Sequence, residues 1–182
     1  MNRNPPIGIA CLVVLVGPPG SGKSTWARRN GRGAIHVSQD GLIDAISPDG
    51  FEHVYRPIYA AAEDALARAA LHSGHTVIVD RTNRTREHRR RWLDVAREAG
   101  CPAVAVVMTA SASLCRSRNR ERDSGRRLSE ERIERMLAAL EPVQPAEGFL
   151  AVFEDTITLA EMLSQLSTGR KGLSHEYCHE AR

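Results

Sequence analysis

The sequence predicts an α/β fold, a central parallel β-sheet flanked by helices, from three observations. Short apolar runs alternate with helix-like segments, which is the order in which parallel strands and their crossover helices follow one another. The first apolar run leads directly into a glycine-rich loop. With 182 residues, 42% of them hydrophobic, the chain is long enough for one domain with its own core. We predict that this domain spans residues 1–167 and that the polar, aperiodic residues 168–182 form a tail.

Each element is predicted from its hydrophobic period and its flanking residues. Apolar runs of strand length predict five strands, at residues 11–16, 34–37, 75–80, 103–108 and 151–153. Apolar residues at helical spacing predict helices at residues 26–29, 54–72, 85–99, 112–120, 129–140 and 159–166. Ligands are expected at the carboxyl ends of the strands, as in other open parallel sheets.

Three of these helices have a recognisable apolar stripe, which predicts the face that each one buries. In helix 54–72 the stripe consists of Val54, Ile58, Ala61, Ala65 and Ala69. In helix 85–99, which Gly100 ends, it consists of Trp92, Ala96 and Ala99. In helix 129–140, which has Ser129 as its expected N-cap and Pro142 as its stop, it consists of Ile133, Met136, Leu137 and Leu140.

The glycine-rich loop reads GPPGSGKST and fits the pattern G-x-x-x-x-G-K-[ST] of a phosphate-binding P-loop. Glycines leave the backbone N–H groups free to surround a phosphate chain, and the following helix adds its dipole. Lys23 is expected to contact the β- and γ-phosphates, and the Ser24 hydroxyl to ligate Mg²⁺. ATP and Mg²⁺ are thus the predicted cofactors, and the predicted nucleotide-binding residues here are Gly17, Gly20, Ser21, Gly22, Lys23, Ser24 and Thr25.

Two carboxylates follow predicted strands. Asp80 ends the run VIVD and is expected to hold Mg²⁺ together with Ser24; the alternative is a cap on the next turn. Asp40 follows the second strand and is predicted to be the general base that takes a proton from an acceptor hydroxyl. Its alternative role is the N-cap of a short helix that starts near Gly41.

Polar and basic residues continue from Asp80. Thr82 and Asn83 would either cap the next helix or contact a substrate phosphate. Six arginines lie between residues 81 and 91, with Glu87 as their one acidic neighbour. Those nearest the strand end, Arg81 and Arg84, would suit a polyanionic substrate, whereas residues 89–91 fit an ordinary solvated helix face.

A second basic segment, RNRERDSGRR, begins at Arg118. Arg118 and Arg122 are four residues apart and would share one helical face. Arginines before a glycine-containing loop suit a lid that offsets negative charge on a transferring phosphate. The alternative is a basic, solvent-facing helix end.

The cysteines, the histidines and the apolar segments argue against several other kinds of protein and site. The four cysteines form no Cys-x-x-Cys pair, so neither a disulfide framework nor a zinc knuckle is expected, and reduced thiols favour a cytoplasmic protein. The tail sequence with His175, Cys178 and His179 lacks a fourth metal ligand nearby. The apolar stretch at residues 7–16 is too short to cross a bilayer, which needs about 20 residues, so no membrane partner is expected.

Four features follow one another along the chain: the P-loop, the acidic residue of SQD, the DRTN segment and the Arg-x-x-x-Arg lid. In this order they resemble the 5′-hydroxyl polynucleotide kinases, especially the kinase module of bacterial end-healing and end-sealing RNA repair enzymes. The similarity covers residues 13–153. It implies a P-loop NTPase kinase fold with an arginine-bearing lid, and transfer of the ATP γ-phosphate to a 5′-OH of RNA or DNA.

The same resemblance implies a role for each matching residue. The catalytic residues would be Lys23, Asp40, Arg118 and Arg122, and Arg126 or Arg127 would pack near the nucleotide base. The residues that face the acceptor strand would be Asp80, Thr82 and Asn83. Relatives commonly carry an arginine three residues after the base, where this chain has Ile43, and Arg81 is the candidate substitute.

Two other functions remain open at this point. A small metabolite, sugar or antibiotic could be the acceptor, because P-loop, base and lid fit such a kinase equally well. A nucleotide-binding regulator without an acceptor is the other alternative, against which Asp40 and the paired lid arginines argue. A homo-oligomer is compatible with the sequence.

Overall fold

The computed structural model describes residues 10–169, which form a five-stranded parallel sheet with helices on both faces. The strands run in the order β2-β3-β1-β4-β5. They are β1 (Leu12–Val16), β2 (Ile35–Ser38), β3 (Val77–Asp80), β4 (Ala103–Val107) and β5 (Ala151–Glu154). The helices are α1 (Lys23–Asn30), α2 (Gln39–Ile46), α3 (Arg56–His72), α4 (Arg86–Glu98), α5 (Ala112–Arg120), α6 (Glu130–Ala138) and α7 (Leu159–Ser167). Two short 3-10 turns occupy His53–Tyr55 and Pro145–Glu147.

Strand β1 lies at the centre of the sheet, and both of its faces are buried. Leu12, Val14 and Val16 join one apolar cluster, which includes Trp92 of α4. The alternate residues of β1 join a second cluster on the opposite face, which includes Trp26 of α1. This alternation is the expected consequence of the two-residue period of a strand that helices cover on both sides.

The predicted fold class and all five predicted strands are confirmed, with ends that differ by at most two residues. Register places the ends of β2 and β3 side by side, because Ser38 is opposite Asp80. The P-loop follows β1, which neighbours β3 in the sheet. The residues that follow β1, β2 and β3 therefore meet at one edge, which is where the site is built.

The predicted apolar stripe of helix 54–72 is wrong. Val54 is 71% exposed and Ile58 is 51% exposed, and the three alanines of that stripe are exposed or at the surface of α3. The helix also begins two residues later than predicted, after a 3-10 turn. The buried face of α3 instead consists of Tyr59, Glu63, Ala67, Ala70 and Leu71. Because this face includes the charged residue Glu63, it does not form a continuous apolar stripe in the sequence.

Two other helices differ from expectation in detail. Helix α2 was expected only as an alternative near Gly41, and it begins at Gln39 with Ser38 as its N-cap, since the Ser38 hydroxyl accepts from the Gly41 N–H at 3.3 Å. Helix α6 has Ser129 as its N-cap and buries Ile133, as predicted. It ends at Ala138, so Leu140 is 37% exposed and not part of the buried stripe.

The interpretation of residues 89–91 as a solvated helix face is wrong for Arg89, which has no exposed surface. Its Nε and NH2 groups donate to the two carboxylate oxygens of Glu147 at 2.7 and 2.6 Å. Its guanidinium also donates to the carbonyl oxygens of Asn83, Glu141 and Pro142. Arg89 therefore ties α4 to the loop that leads into β5.

Several predictions concern residues at the chain ends. Between residues 10 and 169, no helix is long and apolar enough to cross a membrane. Cys11, Cys101 and Cys115 are free thiols in that range. The tail prediction, including His175, Cys178 and His179, falls almost entirely on residues 170–182, which lie outside the described residues, as do residues 1–9.

Candidate active site

The P-loop connects the end of β1 to the first turn of α1. Two of its glycines adopt backbone angles that other residues avoid, with φ of 81° at Gly20 and 103° at Gly22. A Cβ on Gly20 would also lie 2.7 Å from the carbonyl oxygen of Cys115 in α5. The N–H of Gly17 donates to the Thr82 carbonyl at 3.0 Å, which anchors the loop to the chain after β3.

Lys23 is folded back onto this loop. Its Nζ donates to the carbonyl oxygens of Pro18 at 2.7 Å and Gly17 at 3.0 Å, and the residue is only 8% exposed. Burial lowers the pKa of Lys23 to about 8, against the opposing attraction of Asp80. The ammonium group thus lies beneath the phosphate-binding loop and is held there by the same backbone that would bind phosphate.

Asp80 lies beside Lys23 at the end of β3 and is 7% exposed. Burial raises its pKa, but hydrogen bonds from His36 and Ser24 and the charge of Lys23 outweigh burial, so the pKa lies below its usual value. The His36 Nε2 atom is 3.2 Å from Asp80 Oδ2. Asp80 is therefore ionised at neutral pH and close to the Ser24 hydroxyl.

This pair fits a magnesium ion. Mg²⁺ prefers one or two protein oxygens, with phosphates and water as its other ligands, and Ser24 and Asp80 offer a hydroxyl and a carboxylate in contact. Among residues 10–169 there is no group of three or more His, Cys, Asp or Glu side chains that could hold a metal without phosphate. The donors present thus suit a metal that arrives with a nucleotide.

Two clefts meet at the P-loop. The first, the P-loop cleft, has a volume of about 530 Å³ and is lined by residues of the loop and of α1. The second, the Asp40 cleft, has a volume of about 240 Å³ and contains Asp40, Glu121, Asp123 and Arg126. Ser24 and Arg122 line both clefts. The structure therefore joins the predicted base to the predicted phosphate site through two shared side chains.

Asp40 occupies the first turn of α2 and is exposed. Ser38 is the N-cap of this helix, so the alternative role of Asp40 as an N-cap is wrong. Asp40 is also near enough to Lys23 for its charge to favour the protonated lysine. A carboxylate in this position can accept a proton from a hydroxyl that enters the Asp40 cleft.

The segment at residues 118–127, which we name the lid segment, contributes lining residues to both clefts. Arg118 donates to the Gly20 carbonyl at 3.1 Å, and Arg122 follows the end of α5 in a turn. Asn119 fixes the base of the segment, since its amide binds both the N–H and the carbonyl of Leu128. The two predicted lid arginines therefore both line the P-loop cleft, although α5 itself ends at Arg120.

Arg126 and Arg127, which the resemblance placed near the nucleotide base, both bind protein groups. Arg126 NH2 donates to Asp44 Oδ2 of α2 at 2.6 Å, on the side of the Asp40 cleft. Arg127 donates twice to the Arg122 carbonyl, at 3.2 and 3.0 Å. Arg126 thus bridges the lid segment and α2, whereas Arg127 stabilises the turn that carries Arg122.

The residues after Asp80 are mostly engaged in structural contacts. Arg81 donates to the buried carboxylate of Glu63 at 2.6 Å, and that pairing opposes its predicted role as an acceptor-phosphate contact. Asn83 is buried with φ of 43°, donates to the Leu15 carbonyl and accepts from Trp92 Nε1. Thr82 is half-buried, and its carbonyl anchors the P-loop. Asn83 therefore has no free amide group for a substrate.

Three residues that contact the predicted site residues were missed by sequence reasoning. His36 was not singled out from the sequence, although the pairing of β2 with β3 brings it within 3.2 Å of Asp80. Glu63 was hidden inside an alanine-rich helix, where burial raises its pKa against the opposing effects of Arg81 and Arg91. Asp44 follows Asp40 by one helical turn, and that spacing is the one signal in the sequence that pointed to it.

The chain is similar in sequence to proteins of known families. Residues 12–143 match the AAA domain family (AAA_33), which is more than half of the chain. The bifunctional polynucleotide phosphatase/kinase of Schizosaccharomyces pombe is 33% identical over 110 residues, which are 59% of this chain and 23% of that protein. The L-seryl-tRNA(Sec) kinase of Methanococcus maripaludis is 29% identical over 130 residues, 69% of this chain and 50% of that protein. The chain therefore spans from about a quarter to half of the length of these relatives.

Among solved structures, a chain of the Pnkp1/Rnl/Hen1 RNA repair complex is similar, with a TM-score of 0.65 at 24% identity. The similarity covers 76% of this chain and 45% of that chain, and at this identity it shows a shared fold. The resemblance to polynucleotide kinases that the motifs suggested is thus confirmed as a distant relationship. From its matched residues, its sheet and its phosphate-binding loop, the chain belongs to the AAA domain family and has the fold of a P-loop kinase.

Proposed function

We propose that the chain is an ATP- and Mg²⁺-dependent kinase that phosphorylates the 5′-OH end of a polynucleotide. The observation that carries this proposal is the Asp40 cleft, in which the carboxylate of Asp40 and the P-loop residue Ser24 line one space with Arg122. A base beside a phosphate site is the arrangement that a hydroxyl acceptor requires. A nucleotide-binding regulator that transfers no phosphate would not need a general base at this position.

Each group has a defined task in such a transfer. Asp40 accepts the proton of the acceptor hydroxyl as its oxygen attacks the γ-phosphorus, and ADP leaves from the opposite side. Lys23, Arg118 and Arg122 offset the negative charge on the transferring phosphoryl group. Mg²⁺, held by Ser24 and Asp80, would neutralise charge on the β- and γ-phosphates. Positioning and charge compensation supply most of the rate enhancement in reactions of this class.

The relatives support a polynucleotide acceptor. One curated relative is a polynucleotide phosphatase/kinase, and a solved structure of the same fold belongs to an RNA repair complex. Each of them is longer than this chain, so we transfer only the kinase reaction. The free thiols of the described residues suit a reducing compartment, and we propose the cytoplasm as the place of action.

A second candidate function is phosphorylation of a different hydroxyl. One observation favours it, because Arg81, one of the two arginines expected to suit a polyanion, is held by the protein, as are two arginines further along the chain. Arg81 and Arg91 bind Glu63, and Arg89 binds Glu147. A relative whose name specifies a seryl-tRNA acceptor shows that similar chains serve other hydroxyls.

Transfer of label from γ-labelled ATP to a 5′-OH oligonucleotide tests the proposal, with RNA and DNA in parallel and Mg²⁺ present. Asp40→Asn should abolish labelling while ATP still binds, because the substitution removes the base but keeps the size of the side chain. Asp49→Asn, at an exposed turn after α2, is the matched control and should label normally. An active Asp40→Asn variant would remove the assigned base. Binding of ATP by the wild type without labelling of either oligonucleotide would favour the second candidate.

A further inference from the structure

The Asp40 cleft holds one cation that the proposed phosphoryl transfer does not use. Arg126 lines this cleft, together with Asp40 and Arg122, but it does not line the P-loop cleft. We infer that Arg126 binds the first phosphate of the acceptor strand, next to the 5′-nucleoside, and that Asp44 positions it. This inference rests on the proposed polynucleotide kinase activity and names the residue that recognises the acceptor.

A phosphodiester that entered this cleft would need a cation to offset its acidic lining. Its lining includes the carboxylates of Asp40, Glu121 and Asp123, which would repel a phosphodiester. The cations in the lining are Arg122 and Arg126. Arg122 also lines the P-loop cleft, together with Lys23, and is assigned to the phosphates of the nucleotide in the proposed transfer. Arg126 is thus the cation that remains for the acceptor.

The arginine that the sequence suggested as a substitute at this position is held elsewhere. Arg81 was the predicted substitute for an arginine at position 43, but its guanidinium is bound to the buried Glu63 carboxylate. Residue 43 itself is Ile43, which has no charge. Helix α2 instead carries Asp44 at that turn, and Asp44 accepts from Arg126 of the lid segment. The cation that α2 lacks is therefore supplied by the lid segment.

The contact between Arg126 and Asp44 leaves the guanidinium able to bind a phosphate. Asp44 accepts from NH2 at 2.6 Å, and within residues 10–169 the Nε and NH1 groups donate to no protein acceptor. Both side chains are 59% exposed, and an exposed ion pair of this kind contributes little to folding. Its effect is to hold a flexible arginine against α2, with Nε and NH1 each left able to donate a charged hydrogen bond to a phosphate oxygen.

The test compares two acceptors that differ by one phosphate, adenosine 3′-monophosphate and adenosine, each with γ-labelled ATP and Mg²⁺. The wild type should prefer the phosphorylated acceptor. Arg126→Ala should raise the KM for adenosine 3′-monophosphate by about 10- to 100-fold, the range expected for a lost charged hydrogen bond. Its kcat/KM for adenosine and its affinity for ATP should stay within about twofold of the wild-type values. The matched control is Arg135→Ala, which removes an exposed arginine on α6 and should change neither acceptor's KM.

Two further readouts separate this role from a structural one. Binding of adenosine 3′-monophosphate, measured by calorimetry without ATP or Mg²⁺, should weaken in Arg126→Ala to the same extent as its KM rises. Asp44→Asn should raise the KM with little change in kcat and by a smaller factor than Arg126→Ala. A lower KM in Asp44→Asn would show that Asp44 competes with the phosphate, and this result would overturn its positioning role.

The outcomes also separate the inference from the proposed function. A wild type that binds ATP but labels neither of these two acceptors nor an oligonucleotide overturns the proposed function. A wild type that labels them, combined with an Arg126→Ala variant that keeps the full preference for the phosphorylated acceptor, overturns the role of Arg126 alone.

Discussion

Arg89 of α4 and Glu147 of the loop before β5 form a fully buried ion pair, joined by two hydrogen bonds of 2.7 and 2.6 Å. Arg89 also donates to three backbone carbonyl groups, so the pair connects α4 with residues 141–147 at several points. A buried charge is tolerated when its hydrogen bonds are satisfied and becomes costly when its partner is lost.

Removal of Arg89 should therefore destabilise the protein strongly. We expect Arg89→Ala to lower the free energy of unfolding by about 3–5 kcal/mol, because Glu147 is left buried without its partner. Urea unfolding followed by circular dichroism measures this loss. Arg97→Ala, at the exposed pair with Asp94, is the control and should change stability by less than about 0.5 kcal/mol. Equal losses in the two variants would show that the pair at Arg89 is not buried in solution.

The affinity for ATP should decrease as the pH rises. Burial lowers the pKa of Lys23 to about 8, so the free protein loses this ammonium charge as the pH rises through that value. ATP binds the protonated form, and its Kd should rise up to about tenfold per pH unit above that pKa. Titration calorimetry from about pH 7 to about pH 9 measures the slope. Lys23→Ala should bind weakly with a much flatter profile, and an equally steep profile in that variant would assign the titration to another group.

His36 should orient the carboxylate of Asp80, the proposed Mg²⁺ ligand. His36→Ala removes the hydrogen bond to Asp80 Oδ2, and we expect the Mg²⁺ concentration needed for half-maximal ATP binding to rise about tenfold. His36→Gln keeps an N–H donor and should recover part of the loss. The control is His72→Ala at the exposed end of α3. An unchanged Mg²⁺ requirement in His36→Ala would show that the histidine does not orient Asp80.

A methyl group at Gly20 should damage the P-loop more than one at Gly33. Both glycines have positive φ, so alanine at either position costs about 1–2 kcal/mol in backbone strain. A Cβ at Gly33 would meet nothing within 4 Å, whereas one at Gly20 would lie 2.7 Å from the Cys115 carbonyl. Gly20→Ala should therefore lose a further ~1–3 kcal/mol and bind ATP poorly, while Gly33→Ala keeps its affinity. Unfolding curves and ATP titrations of both variants make the comparison, and equal losses would contradict it.

Much of this architecture was predictable because its signals are local. The apolar run before the P-loop motif specified β1, the motif itself required a helix after it, and Asp80 was placed beside Ser24 by its position at a strand end. Parallel order then brought the ends of β1, β2 and β3 together. These features depend on backbone geometry that few sequences can satisfy in another way.

The remaining features depend on pairs of residues far apart in the chain. The buried face of α3 includes Glu63, which is stable there because Arg81 and Arg91 arrive from other elements. Arg89 is buried because Glu147, 58 residues later, meets it. The contact of Arg126 with Asp44 spans 82 residues. Charge patterns along one helix cannot reveal partners of this kind, so a rule that treats arginines as solvent-exposed gave the wrong result at Arg89.

The side chains of Ser24 and Arg122 line both clefts, and this sharing has a thermodynamic consequence. A ligand that orders Arg122 in one cleft also shapes the other, so the binding of nucleotide and of acceptor should be linked. Linkage is reciprocal: the factor by which nucleotide changes the acceptor's Kd equals the factor by which acceptor changes the nucleotide's Kd. Each substrate would thereby act as an effector of the other through the side chains that line both clefts.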